Sequence, residues 1–584
     1  MPEKQHKESA VSKRANPILN EAIAKHQQGS WQEAEQRYQD ILAENPQNAD
    51  VLHLLGILFG QKGDYKSSKE YLEKALKLSP NNATYHNSMA NVKKNLNDID
   101  GAISDYQQAI QLNPQSTTAY NNLAFLLIKQ GQLQQAKQHA EHAITLNSQD
   151  GESHYNLGLI ALKENNPELA ITELRNTLLL NPHHLQARYT LAQQLQTGMP
   201  EDLDEAITHY ESILAAQPDF TDALVNYASA LLMQNNDKEA LKTFYRALDI
   251  DSEHYEANYN LGCALLQQQA LNPALEHFIK ALGKKPTPEA YYNIGVIYSY
   301  QDRHGDAISY LKKAIEFDPL YFAAYNNLGT VYLKIEELNK AIENFSAALK
   351  IQPYNEEIAY ILSALRQEKT PDRAPKNYVE HLFDQYAPSF DKHLLEHLKY
   401  ETPKVLHEAV MTQIRDNLHL RKVLDLGCGT GLAGALFKDL ASPLIGVDLS
   451  SQMIATLQEK TLYDELIVGD LEDALRDHKN NELIIASDVL PYIGDLSPLF
   501  HAVQQALTPD GLFAFTIEIA PPDIRSYSLQ TSIRYAHSPR YIEQLAAQNQ
   551  LTLLSQSKIT LRLQRNQPLF GLLYILRKGA SEAH

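Results

Sequence analysis

The chain has 584 residues, 43% of them hydrophobic and 21% charged, a length too great for one core and a composition ordinary for a globular multidomain protein. A net charge of −19 argues against a dedicated nucleic-acid binder, which would carry a basic stripe. The two cysteines, Cys263 and Cys428, supply no disulfide framework, zinc spacing or iron–sulfur ligand set, which fits a reducing, cytoplasmic setting.

Residues 1–14 read as a polar, flexible N-terminus without the apolar core of a signal peptide. No apolar run reaches the roughly eighteen residues of a membrane span. From about residue 15 to 355 one device repeats. Pro46, Pro80, Pro114, Ser148 and Pro182 stand 34 residues apart, and Pro218, Ser252, Pro286, Pro319 and Pro353 continue the beat with small offsets. Small residues recur in phase (Gly56, Gly158, Gly262, Gly295 and Gly329), where two helices would approach closely. This period, with motifs such as Tyr325-Asn326-Asn327-Leu328-Gly329, resembles the tetratricopeptide helix–turn–helix, and about ten repeats are expected. Two extra residues within Thr197–Asp202 predict a lengthened inter-helix turn.

Such an array is expected to form a curved solenoid with a concave inner wall. Asn122, Asn156, Asn226, Asn260, Asn293 and Asn327 recur at one position on that wall. Amides offer both donor and acceptor, so this ladder is a candidate groove for a protein or peptide held by its backbone, as in the similar repeats of protein O-linked glycosyltransferases. Asparagine is also common at this position of such repeats, a structural role that leaves the groove open to question. Residues 356–366 read as a capping helix and 367–377, with Pro371 and Pro375, as a linker.

Over 378–584 the 34-residue beat stops, and apolar strand-like runs at 422–426, 444–448, 466–469, 483–487, 512–517, 551–563 and 569–577 alternate with helical stretches. That pattern predicts an α/β domain with a largely parallel sheet ending in a hairpin. Val423-Leu424-Asp425-Leu426 breaks into Gly427, Gly429 and Gly431 and then a helical pattern, Leu432 to Leu440. Asp448 ends the next apolar run, where a ribose is gripped through its hydroxyls. Gly429 to Gly434 formally satisfies the dinucleotide fingerprint, so a nicotinamide cofactor is one reading.

The D-x-G-x-G-x-G form around Asp425, Val468-Gly469-Asp470-Leu471, Ser487-Asp488-Val489-Leu490-Pro491-Tyr492, and Leu507-Thr508-Pro509-Asp510-Gly511 together resemble class I methyltransferases. Leu382-Phe383-Asp384-Gln385-Tyr386-Ala387-Pro388-Ser389-Phe390-Asp391 is similar to the lead-in of bacterial methyltransferases that carry tetratricopeptide repeats. The resemblance implies a Rossmann-like, seven-stranded sheet and S-adenosylmethionine as cofactor. It implies the glycines and the following helix's start at the methionyl end, Asp425 at the amino group, and Asp448 at the ribose. Leu449, Met453, Asp470 and Leu471 would then lie around the adenine, Tyr386 near the methionyl group, and Asp488 at the fourth strand's end.

If the acceptor starts protonated, Tyr492, Glu518, Arg534, Tyr535 and His537 are candidate bases, with His537 first. A histidine in that place is commonly a plain surface or capping residue. The expected function is methyl transfer to a protein or peptide recruited by the repeats. A small-molecule or lipid acceptor with the repeats as scaffold, and a cofactor sensor without turnover, stand beside it. No metal site and no nucleic-acid partner are expected.

Overall fold

A computed structural model describes residues 17–368, 370–414, 419–458, 460–564 and 567–579. The expected flexible segment 1–14 and the hairpin residue Asn566 lie outside them. The chain divides into two compact units, Met1–Lys284 and Lys285–His584.

The first unit consists of antiparallel helix pairs, from Pro17–Gln27 with Trp31–Glu44 to Tyr255–Gln267 with Leu271–Lys284. The repeat's local chemistry explains the helix starts. Asn48, Asn82, Ser116, Asp150 and His184 each accept a backbone N–H two or three residues on, covering donors that the first helical turn leaves unpaired. The extra residues before Pro218 form a short 3₁₀ turn, Pro200–Asp202, ahead of the helix Leu203–Ala216.

The second unit opens with two more pairs, Pro288–Tyr300 with His304–Phe317 and Phe322–Lys334 with Leu338–Ile351. The helices within a pair touch closely: a Cβ on Gly329 would stand 2.9 Å from the buried Phe345 ring. A further helix, Glu356–Arg366, follows, with Ile358, Tyr360, Ile361, Leu362, Ala364 and Leu365 buried.

The α/β domain is built on strands β1 (Val423–Leu426), β2 (Leu444–Asp448), β3 (Glu465–Val468), β4 (Asn481–Ala486), β5 (Leu507–Glu518), β6 (Tyr527–Leu529), β7 (Tyr535–His537), β8 (Leu551–Gln564) and β9 (Gln567–Lys578). Seven of them form one sheet in the order β3-β2-β1-β4-β5-β9-β8, parallel from β3 to β5 and antiparallel in the closing β9 and β8. Parallel strands are covered on both faces, which is why β1, β2 and β4 read as near-continuous apolar runs. One face packs Leu424, Leu426, Ile445, Phe513 and Phe515, and the other Val423, Leu444, Leu483, Ile485 and Ala514. Reversal of strand order between β1 and β4 leaves a crevice at the strands' carboxyl ends.

Two expectations need correction. The strand-like runs in the sequence leave out a hairpin, β6–β7, which pairs Tyr527–Leu529 with Tyr535–His537. The segment 367–377 is also no free linker. Ala374 donates to Tyr492 O at 3.1 Å, Gly494 and Asp495 donate to Asp372 O, and the Tyr535 hydroxyl donates to Pro371 O at 2.9 Å. These bonds sew the segment along residues 492–495.

Candidate functional site

At the crevice a cavity of about 250 Å³ is lined by Gly427, Gly429, Asp448, Leu449, Leu471 and Asp488 from the sheet's loops. Gly427, Gly429 and Gly431 take φ of +68°, +53° and +87°, a conformation that disfavours any side chain. A Cβ on Gly427 would also stand 2.3 Å from Val489, so the loop's backbone sits against the β4 end with no room to spare.

Asp448, at the end of β2, accepts from Gly429 N through Oδ2 and from Ser450 N through Oδ1, both at 2.9 Å. Its carboxylate thereby ties the glycine loop to the second strand. Burial raises its pKa, and the backbone donors of Ser450 and Gly429 offset part of that. Asp425 lies in β1, 1% exposed; its Oδ2 accepts from the Tyr463 hydroxyl at 2.7 Å, while Oδ1 has no partner among the described residues. Burial, partly offset by the Tyr463 bond, pushes its pKa up to about 7.

The helix after the glycines is a single turn, Gly434–Phe437, followed by a 3₁₀ turn, rather than the longer helix read from Leu432 to Leu440. One turn has almost no aligned dipole to aim at a ligand, so the positive-φ backbone, not a helix terminus, shapes this end. Gly434 itself is pinned under Tyr463, whose hydroxyl would be 2.1 Å from a Cβ there.

Asp470 is not open to the cavity as expected. Its Oδ2 accepts from Arg373 at 2.6 Å and Lys376 at 2.9 Å, and its Oδ1 from Glu472 N at 2.9 Å. Burial alone would raise this carboxyl, but Lys376 and Arg373 carry it below the usual carboxylate range. Leu449 and Leu471 line the cavity, whereas Met453 is fully buried in the helix behind Asp448.

Phe383, Tyr386, Phe390, Leu394 and Leu398, all from the segment ahead of the sheet, wall the cavity from outside. Two aspartates fasten that lid. Asp384 accepts from the Ser450 hydroxyl at 2.5 Å and from Gln452 N at 3.2 Å. Asp391 accepts from the Thr430 hydroxyl and from Lys460 Nζ at 3.0 Å. Tyr386 pairs with His393, and burial pushes its hydroxyl up to about 12.

On the far side Asp488, Glu518, Arg534 and Arg562 form a half-buried to buried ring of alternating charge. Arg534 donates to Glu518 and Asp488 at 2.6 Å each and to the Tyr492 hydroxyl at 2.8 Å. Arg562 donates to Asp488 Oδ2 and Glu518 Oε1 at 3.0 Å. Both guanidiniums, Tyr492 and Asp488 line the cavity. Burial raises the Tyr492 pKa, so its hydroxyl stays protonated at neutral pH and is a poor base.

Backbone strain gathers here: Asp488 has φ +61° and the β-branched Ile533 has φ +62°. Such residues cost on the order of 1–3 kcal/mol each and persist only where their surroundings hold them. His537 is not brought to the cavity. It is fully buried at the end of β7, Nε2 donates to Ile493 O and Gly494 O at 2.9 and 3.1 Å, and burial lowers its pKa to about 4. Its ring therefore serves as a structural clasp, with no path to an acceptor's proton. Tyr535 is likewise fully buried.

Arg562, Arg373, Lys376 and Tyr400 also line the cavity and carry no sequence motif. Arg562 faces it because β8 is irregular between Thr560 and Arg562, and such a bulge re-aims the following side chain.

A family described as "Methyltransferase domain" matches residues 424–515, the span from β1 into the later part of β5. Families described as tetratricopeptide repeats match 25–92, 116–148, 201–255, 288–321 and 322–355, and a TPR repeat family matches 94–131. The chain is a tetratricopeptide-repeat protein with a class I methyltransferase domain.

Among curated relatives, tetratricopeptide repeat protein 6 of Homo sapiens is 31% identical over 113 residues, 19% of this chain and 22% of that protein. The mitochondrial ubiquinone biosynthesis O-methyltransferase of Bos taurus is 29% identical over 134 residues, 21% of this chain and 33% of that protein. A solved structure titled as YrrB, a TPR protein with an unusual peptide-binding site, is 25% identical and covers 32% of this chain and 95% of its own, with a TM-score of 0.27. The curated matches thus span a third or less of those relatives' own length.

In the repeats, most of the asparagine ladder bonds each repeat to the one before it. Asn122, Asn226, Asn260 and Asn327 donate to Asn87, Tyr189, Ser229 and Tyr292 of the preceding repeat at 2.9–3.2 Å. Asn156 is 2% exposed and donates to Asn121 O, so it offers nothing to a peptide. Asn293 holds the equivalent position in its repeat and is half-buried.

Proposed function

We propose that this chain transfers a methyl group from S-adenosylmethionine to a protein or peptide recruited by its repeats. The observation that carries the reading is Asp448. It sits at the carboxyl end of the second strand, fixed by two backbone donors, and faces a lidded cavity beside three positive-φ glycines. A carboxylate accepts at about four lone-pair positions, so those two bonds leave capacity for two ribose hydroxyls.

The residues fit that cofactor. Asp425 does not itself line the cavity, but its buried Oδ1, without a partner among the described residues, suits a cationic amino group, directly or through water. At Gly429 a Cβ would meet nothing nearer than Phe390 of the lid at 3.6 Å, which suits close approach of a ligand to the main chain. Leu449 and Leu471 offer apolar faces to an adenine. Asp470, saturated by Arg373 and Lys376, acts here through that clasp, which draws Ala374 and Lys376 to the cavity wall.

S-adenosylmethionine brings its own activated methyl group, so the chain's task is alignment and exclusion of water. Holding the partners in line is worth roughly 7–11 kcal/mol of barrier. Phe383, Phe390 and Leu394 shut out solvent, and Arg534 and Tyr492 border the space where an acceptor atom would stand. Among the described residues the carboxylates at this border are not free bases: Asp488 and Glu518 are each paired with both guanidiniums.

Tethering an acceptor on the repeats would raise its effective concentration at the cavity without new contacts there. Asn122, Asn226, Asn260 and Asn327 stay partly exposed, and an amide that donates once keeps further capacity, so the ladder, Asn156 excepted, still supports a groove for such a partner. A second reading, a small-molecule or lipid acceptor with the repeats as scaffold, draws support from the apolar wall of Phe383, Leu394 and Leu398.

Cell extract incubated with methyl-labelled S-adenosylmethionine and the full-length chain separates the two. Label in a protein band, absent with Asp448→Ala, supports the first reading. Label in small molecules alone supports the second, and no label with unimpaired S-adenosylhomocysteine binding would point to a sensor.

A further inference from the structure

We propose that Tyr360, on the helix that follows the last repeat, is a positioning residue for Arg534 at the acceptor side of the cavity. The proposal rests on the methyl-transfer reading above and adds to it a physical link between the end of the array and the site.

The observations form one continuous path. Tyr360 is 2% exposed, and its hydroxyl reaches the carbonyl oxygen of Ile533 at 3.3 Å, within a buried contact. Its ring lies 6.1 Å from that of Tyr535 and 5.2 Å from that of Tyr378 on the lid helix Lys376–Tyr386. At the C-terminal end of Tyr360's own helix, Glu356–Arg366, Gln367 donates to Leu529 O at 3.1 Å. Leu529 ends β6 and Ile533 stands in the turn that leads to β7, so the helix grips the hairpin at the end of one arm and at its turn.

Arg534 is flanked by the residues so gripped, Ile533 and Tyr535. Ile533 is the strained member, held at φ +62° inside a turn closed by Ile533 N to Gln530 O and Gln530 N to Arg534 O, both 2.9 Å. A β-branched residue does not hold that conformation by its own preference, so its neighbours must fix it. From that fixed backbone the Arg534 side chain runs inward to Asp488, Glu518 and Tyr492. Tyr492 in turn meets Phe383 of the lid edge-on at 5.3 Å. Tyr360 touches none of the cavity itself, which marks it as acting through Arg534 rather than on a ligand.

The test uses the full chain and Tyr360→Phe, which keeps the ring and removes the hydroxyl, with unfolding temperature checked against wild type. Three readings are taken: S-adenosylhomocysteine affinity, the rate of label transfer into extract, and solvent exchange of the Arg534 Nε–H in arginine-¹⁵N-labelled protein, assigned with Arg534→Lys. The expected result is unchanged affinity, label transfer slowed on the order of tenfold, and Arg534 exchange accelerated by a similar factor.

Transfer and exchange both within about twofold of wild type would overturn the proposal, as would exchange that changes while transfer does not. An affinity that falls in step with transfer would also overturn it, because the effect would then be general loosening of the domain. If wild type neither binds S-adenosylhomocysteine nor transfers label, the methyl-transfer reading fails. The Arg534 exchange rate then still decides whether Tyr360 positions that guanidinium.

Discussion

Replacing Asp425 by Asn tests how the amino end of a bound cofactor is held. In the free protein burial moves this carboxyl from 3.8 to about 7, which amounts to about 4 kcal/mol against its charged form. At pH 6 it is therefore about nine-tenths protonated, and at pH 9 almost wholly ionised. A cationic amine beside it favours the carboxylate, so binding lowers the pKa and expels the proton. Calorimetry with S-adenosylhomocysteine in buffers of different ionisation enthalpy should show wild type releasing nearly one proton at pH 6, about half at pH 7 and almost none at pH 9. Affinity should weaken about tenfold for each pH unit below 7. The amide introduced by Asp425→Asn has no proton to lose, so the variant should show neither effect.

The same residue sets a stability slope. Because the folded pKa lies above the unfolded one and the acid is the favoured form, the folded state binds more protons between pH 4 and 7. Stability of the cofactor-free domain then falls as pH rises through that window, and Asp425→Asn should be the more stable protein at pH 8 and not at pH 4. Equal proton release from wild type and variant would refute the pairing of Asp425 with the amine.

Asp448→Ala should cost S-adenosylhomocysteine at least about a hundredfold in affinity, from the loss of two charge-assisted hydrogen bonds, as read by calorimetry. His537 runs the opposite pH course to Asp425: its folded pKa of about 4 lies below the ordinary 6.5, so stability is full above pH 6.5 and is lost as pH falls towards 4, by about 3 kcal/mol. His537→Gln should flatten that part of the urea-midpoint profile without adding a step to the pH dependence of label transfer. Gly329→Ala should destabilise the last helix pair by about 1–3 kcal/mol, because its Cβ meets the buried Phe345 ring at 2.9 Å; thermal unfolding reads the change.

What the sequence made legible was local or periodic. The 34-residue beat and the small residues at Gly262, Gly295 and Gly329 announce helix pairs because each repeat must solve the same contact with its neighbour. The stretch from Val423 to Gly431 and Asp448 are legible for a similar reason: a strand, a positive-φ turn and an acid at the next strand end lie within a few dozen residues. The parts that were hidden depend on distant pairing. Nothing near Asp470 foretells that Arg373 and Lys376, almost a hundred residues earlier, take up its carboxylate. Arg562 looks like an ordinary charge on a strand until the irregularity beside Leu561 turns it inward. His537 drew attention for its chemistry, yet burial decides its role, and burial follows from the β6–β7 hairpin that its own residues do not advertise. The asparagine ladder was visible as a pattern, and its direction was not: the amides face the preceding repeat.

The two fastenings of the lid are unlike in kind, and that makes the lid a door with one weatherproof bolt and one that ions can slip. At Asp384 the donors are a hydroxyl and a backbone N–H, with no cation to screen. At Asp391 one donor is the Lys460 ammonium, in a pair 36% and 39% exposed, which dissolved salt weakens. Rising ionic strength should therefore loosen the Asp391 end beside the glycine loop to what its Thr430 bond alone sustains, while the Asp384 end beside Ser450 is unchanged. Exchange of a bound nucleoside would then quicken with salt to a plateau set by the hydroxyl and backbone bonds at both ends, which salt cannot reach.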